Sequence, residues 1–204
     1  QTSKGVINGT GINYEIAAIT CFVSLRNILD QPIRRVGVIH RDVFADFINE
    51  QKVMAAQEKI ELVTRRLDTE NLRSSLKKTV KSLVNGDEVD AIWILNDNAL
   101  LNKRLLLKSW LPALKRNKKP VLVNVQSLVS PKFRFGSFAV LPDHTALGVQ
   151  AANLLFELQE NDWQVGDKQL EEPVAVEKVL LVPFAEKHMA LKENALDQID
   201  VQVE

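Results

Sequence analysis

The chain has 204 residues, 46% of them hydrophobic, enough to bury a core in one large domain or two small lobes. Its 26 basic and 26 acidic residues cancel, which removes any overall field favouring nucleic acid or an anionic membrane. One cysteine, Cys21, excludes an intramolecular disulfide and a cysteine-based metal cluster, and no apolar run reaches the ~18 residues of a membrane span.

Residues 1–12 are rich in Gly, Asn and Thr and lead into a helix carrying Ile16, Ile19, Val23 and Ile28, with Pro32 just beyond. Cys21 lies among Ile19, Phe22 and Val23 and reads as a buried, inert thiol. Gln1 follows no signal-like segment, so the protein is expected to be cytoplasmic or to have lost a leader. Residues 34–40 read as a buried strand, and Phe44, Phe47, Ile48 and Met54 follow at helical spacing.

A second unit begins with a strand over Ile60–Leu67, and Leu72, Leu76, Val80 and Leu83 then form a helical stripe closed by Asn85-Gly86. The third runs from Val89 to Leu95, with Asn98 as the expected N-cap of a helix bearing Leu101, Leu105 and Trp110. The basic run Lys115-Arg116-Asn117-Lys118-Lys119 falls at that helix's end, where cations complement the helix dipole. Val121–Val125 and residues 136–141 supply a fourth and a fifth strand, and Asp143 caps a helix through Leu147, Ala151, Leu155 and Leu158. After a polar stretch, Val174–Val182 reads as a strand, with a short helix near Ala185–Leu191. Strands alternating with crossovers predict an α/β fold: a flavodoxin-like doubly wound parallel sheet of about five strands, over residues 34–141. The flanks, residues 1–33 and 142–204, read as pieces of another packing layer.

In open parallel sheets ligands sit outside the carboxyl ends of the strands, where the strand order reverses. With order 2-1-3-4-5 that point lies between the loops His40-Arg41-Asp42 and Asn96-Asp97-Asn98. There Asp97 and Asp42 suit an amine, Arg41 a carboxylate through its planar fork, and Asn98 both a donor and an acceptor. Ser127 and Asp143 complete the candidate rim. The competing structural roles are N-capping for Asp42, Asn98 and Asp143, a turn for Asp97 and a surface position for Arg41.

Catalytic patterns are scarce. His40, His144 and His188 lack metal-ligand spacing, and no serine lies in a nucleophile elbow, which disfavours an enzyme; His144 reads as a first-turn surface residue. Asn8-Gly9-Thr10-Gly11 follows no strand and lacks a phosphate-loop lysine, so it reads as a turn. Trp93 and Trp110 belong to the core, Trp163 to the second layer, and Phe133 and Phe135 are aromatic cleft candidates whose expected use is hinge packing.

The order of segments resembles the ABC-transporter substrate-binding family that includes the tryptophan- and tyrosine-binding lipoproteins. Thr10-Gly11-Ile12, the strand Arg35-Val36-Gly37-Val38-Ile39-His40, the stretch from Asp90 to Asn98, and Lys119-Pro120-Val121-Leu122-Val123 carry the likeness. So do Phe135-Gly136-Ser137-Phe138-Ala139, Asp143, Leu147 to Ala152 and Asn194-Ala195 with Ile199 and Val201.

The resemblance implies a type I periplasmic-binding fold, non-catalytic capture of a small amino-acid-like solute between two lobes by domain closure, and delivery to an ABC permease. It implies a periplasmic or lipid-anchored location and no cofactor. It assigns Asn96, Asp97 and Asn98 to the ligand, with Asp143 behind them, whereas Arg41 and Asp42 depart from the small hydroxyl residues that relatives often carry in that loop. The family's opening βα units have no counterpart, so an incomplete first lobe is expected, with a possible homodimer through the face it leaves. The rivals are a sensor or protein-interaction module that keeps the fold, and a phosphate-transfer enzyme domain, which needs an acidic metal cluster at the strand ends.

Overall fold

The computed structural model describes residues 8–68, 70–86, 89–167 and 170–204. Residues 1–7 of the amino-terminal segment and 168–169 of the polar stretch lie outside the described residues. The chain divides into two compact units, Gln1–Ile16 with Leu141–Glu177, and Ala17–Val140 with Lys178–Glu204. It therefore passes from one to the other three times.

The larger unit is organised by a seven-stranded sheet. Its strands are β1 (Arg35–His40), β2 (Glu61–Arg66), β3 (Ala91–Trp93), β4 (Val121–Val123), β5 (Phe138–Pro142), β6 (Val176–Leu181) and β7 (Val201–Val203), in the order β2-β1-β3-β4-β5-β6-β7. The first five are parallel, with Val36 opposite Leu62, Val38 opposite Trp93, Trp93 opposite Leu122 and Leu122 opposite Phe138. The Leu181 N–H donates to the Ser137 carbonyl at 2.9 Å, so the end of β6 lies beside the start of β5. β6 and its parallel neighbour β7 thus run against the other five. The predicted five-stranded core is present in the predicted order, and two strands from the carboxyl end extend it.

Every residue of β3, β4 and β5 is buried, as parallel strands covered on both faces require. The cover comes from α1 (Ala18–Ile28), α2 (Ala45–Gln57) and α3 (Leu72–Asn85), the last burying Leu76, Val80 and Leu83 of the predicted stripe and stopping at Gly86. Phe22 of α1 meets Trp93 edge-on with ring centroids 5.6 Å apart, and Leu29 bridges Leu191. These contacts place α1 and residues 178–204 in the larger unit, whereas the sequence pattern grouped residues 1–33 and 142–204 together as a partial lobe.

The helix expected from Asn98 starts later. Asn102 is its cap, accepting the Leu105 N–H at 3.0 Å, because the Asp97 carbonyl first closes a turn onto the N–H groups of Leu100 and Leu101. The helix runs as α4 (Lys103–Leu105), a π-turn over Leu106–Trp110 and α5 (Leu111–Leu114). Pro112 has no N–H to donate back along the helix, which fits a broken hydrogen-bond ladder here. The Trp110 indole N–H donates to the Leu100 carbonyl at 3.0 Å and anchors the segment in the core.

The smaller unit is built on α6 (His144–Glu160), capped by Asp143, whose Oδ1 accepts the N–H groups of Thr145 and Ala146 at 2.8 and 2.9 Å. Gln150 is buried and ties down the following segment, donating to Glu171 and the Glu172 carbonyl and accepting from the Val174 N–H. Asn8, at φ 58°, staples the loop after α6: its amide donates to the Trp163 carbonyl and accepts from the Val165 N–H. The chain bends at Asn8, and Gly9, Thr10 and Gly11 run on without the turn the sequence suggests. Val149, Leu155 and Phe156 stay exposed on α6, as do Trp163 and Val174.

Candidate functional site

The strand order reverses between β1 and β3, and their carboxyl ends release the two loops of interest side by side. His40, 8% exposed, ends β1 and turns its Nδ1 to the Arg41 carbonyl at 3.2 Å. Arg41 then reaches across to the β3 loop. Its Nε donates to Asp97 Oδ2 at 2.7 Å and its Nη2 to Asp97 Oδ1 at 2.8 Å, a bidentate fork between loops 56 residues apart in sequence.

Asp97 is only 2% exposed, and its Oδ1 also accepts the Ala99 N–H at 2.9 Å. Both carboxylate oxygens therefore accept hydrogen bonds within the chain, so Arg41 and the Ala99 N–H occupy positions that the sequence reading offered to a ligand amine. The role of Asp97 in the structure is to hold Arg41. That hydrogen bond, with the carboxylate's charge behind it, pushes the Arg41 guanidinium above its ordinary pKa, so it remains a cation at any working pH. Arg41 is one-quarter exposed, lies with its guanidinium carbon 5.9 Å from the Phe44 ring centre, and uses two of its five N–H donors on Asp97.

The other sequence candidates divide. Asp42 is paired with Arg66 of β2, both groups well exposed, which occupies the carboxylate without burying it. Asn96 and Asn98 flank buried Asp97 and are both exposed, and Asn98 does not cap the helix. Ser127 is exposed on a 3-10 turn, Gln126–Leu128, after β4. Asp143 belongs to the smaller unit and serves as the α6 cap through one oxygen. His144 beside it faces Tyr14, with the hydroxyl 2.9 Å from Nε2. The larger unit thus brings together Arg41, Asn96, Asp97, Asn98 and Ser127 along the carboxyl edge of β1, β3 and β4.

The structure adds Asn124, which the sequence reading passed over. It stands one residue beyond β4 on the same edge, and neither its Nδ2 nor its Oδ1 has a partner although both atoms are buried. The buried Trp93 indole N–H, at the end of β3, is likewise unpartnered. Buried polar groups are nearly always satisfied, so two orphans at the ends of adjacent strands mark an unusual place. The findable signal was an amide following Val121-Leu122-Val123, a run otherwise wholly apolar.

Phe133 and Phe135 are not at a crossing between the units. They precede β5, whereas the chain crosses after Val140 at the strand's other end. Phe135 is buried edge-on against Trp110, centroids 5.8 Å apart, and Phe133 is half exposed. Among the described residues no group of three or more His, Cys, Asp or Glu is placed to hold a metal, and no helix is long and apolar enough to cross a membrane.

No family model and no curated protein matches the chain. Solved structures do. An ABC domain in complex with L-Trp from Streptococcus pneumonia superposes with a TM-score of 0.64 at 16% identity, over 95% of this chain and 64% of that one. A ligand-free, open substrate-binding protein with adhesive properties from Clostridium difficile gives 0.68 at 12% identity, over 96% and 62%. A conserved domain protein from Vibrio cholerae O1 biovar El Tor gives 0.61 at 18% identity, over 95% and 62%. The fold resembles that of type I periplasmic substrate-binding proteins of ABC transporters. The chain spans 62–64% of the length of these structures.

Proposed function

We propose that this chain is a non-catalytic solute-binding component of an ABC-type import system, working outside the cytoplasmic membrane and capturing a small, amino-acid-like solute with a carboxylate. The observation that carries the reading is the Arg41–Asp97 fork at the strand-order reversal. Asp97 fixes the guanidinium plane, so the three free N–H donors of Arg41 are presented in a set direction to an anionic group. Asn96, Asn98 and Ser127 supply neutral donors and acceptors along the same edge. Asn124 supplies both to any group that reaches it. The likeness to substrate-binding proteins supports this role through the fold alone, and the permease as partner is part of the same proposal.

A thermal-shift screen of amino acids, short peptides and purines, each with and without its carboxylate, tests it. A solute at 100 times its Kd stabilises the protein by about 2.7 kcal/mol, well within detection. The expected result is a shift from a carboxylate-bearing solute that shrinks in Arg41→Lys, which keeps the charge and loses the fork, and vanishes in Arg41→Ala. Equal shifts in Arg41→Ala and the parent, or no shift with any solute, refute it.

A further inference from the structure

A cavity of the larger unit lies at the opposite end of the sheet from Arg41. It measures about 890 Å³ and opens where α5 ends, where β4 and β5 begin and where β6 gives way to α7 (Val182–His188). Its floor is apolar, formed by buried Val121, Phe135 and Leu181. Ser137, also on the floor, already exchanges hydrogen bonds with Val121. Phe133 and Phe184 form aromatic walls, and Lys115, Arg134 and Lys187 stand around the mouth.

None of these three cations is within ion-pair distance of a carboxylate among the described residues, and no Asp or Glu lines the cavity. Arg134 sits at φ 48°, in the left-handed region, with its N–H bonded to the Ser130 carbonyl at 2.9 Å. The basic run that the sequence explained as a helix terminus thus sends Lys115 to this mouth. His188 lies on the wall against the Phe184 ring, centroids 4.9 Å apart. Burial, then the charges of Lys187 and Lys118, lower its pKa.

We infer that this cavity is a second binding site, for a small organic anion with a flat apolar body: the aromatic and proline-rich interior takes the body, and Lys115, Arg134 and Lys187 take the charge. The volume lies in the usual range of small-molecule sites, and apolar walls with a few polar groups at one end are their usual make-up. Three unpaired cations over an apolar floor favour a molecule that is charged at one end only. This site shares no residue with the Arg41 edge, so the two readings stand or fall separately.

The test uses the 204-residue chain and four probes: 2-naphthoate, neutral 2-naphthamide, inorganic phosphate and a glutamate-rich peptide. Binding is read by calorimetry and by amide shifts in the nuclear magnetic resonance spectrum. The expected result is 2-naphthoate binding that perturbs Phe133, Phe184 and Lys187, weakens with salt, and falls about tenfold or more in Arg134→Ala/Lys187→Ala, two exposed positions. Arg41→Ala leaves it unchanged. The site is refuted if 2-naphthamide or phosphate binds as tightly, since one dispenses with the charge and the other with the body. It is equally refuted if the peptide outcompetes 2-naphthoate, which assigns the cavity to a protein partner, or if Arg41→Ala abolishes binding.

Discussion

Arg41 and Asp97 are worth more as a pair than either residue type suggests alone. Removing Arg41 leaves a carboxylate 2% exposed with only the Ala99 N–H for company, a costly state for a charge. Arg41→Ala should therefore destabilise by about 2–3 kcal/mol in chemical denaturation, and Arg41→Ala/Asp97→Ala should recover much of the loss, giving a clear coupling energy. Asn124 predicts the opposite sign. Its unpartnered buried amide costs stability, so Asn124→Leu should raise stability by ~1 kcal/mol while weakening any solute response at that edge. His188 provides a pH signature. Its folded pKa lies below the usual 6.5, so the folded chain takes this proton at a lower pH than the unfolded one. Its contribution is complete above 6.5 and declines as pH falls through 6.5 toward the folded midpoint. The imidazole midpoint read by magnetic resonance should lie below 6.5 and climb with added salt, as the Lys187 and Lys118 charges are screened.

At the scale of elements, the close approach of β5 to β4 depends on one glycine. A Cβ on Gly136 would meet Val123 at 2.6 Å and the Leu128 carbonyl at 3.2 Å, and Val123 is stiff at its branch. Gly136→Ala should cost about 1–3 kcal/mol by denaturant titration, as overpacking in a core does. This unit also shows what a sequence reveals and what it hides. β1, α3 and α6 follow directly from unbroken apolar runs, a helical stripe and a capping aspartate, all local signals. The late start of α4 was hidden because Asp97 and Asn98 are both good turn and cap residues, and the choice depended on Arg41, far off in sequence. The meeting of the two candidate loops was legible in position, since a reversal of strand order fixes where loops come together. Their role was not legible, because whether a carboxylate is free for a ligand depends on which partner the fold brings to it. Asn124 escaped for the same reason: an asparagine after a strand is ordinary until both its ends are buried.

At the scale of the molecule, the three crossings decide which parts of the chain depend on one another. The smaller unit combines residues on either side of the first 124-residue stretch of the larger, Ala17–Val140, and its helix α6 keeps Val149, Leu155 and Phe156 in contact with water. The larger unit is interrupted in turn, because residues 141–177 intervene before its last segment returns. That interruption bears on synthesis. As the chain emerges from the ribosome, β5 has its partner β4 at once, but its other flank has to wait until β6 follows the excursion. During that interval Phe138, Ala139 and Val140, all wholly buried in the finished sheet, stand at an open edge, a template for pairing with another nascent chain. A chain stopped at Glu177 should partition into the insoluble fraction on expression, and supplying residues 178–204 as a separate peptide during refolding should restore solubility. Equal solubility of the shortened and 204-residue chains would show that the open flank is protected in some other way.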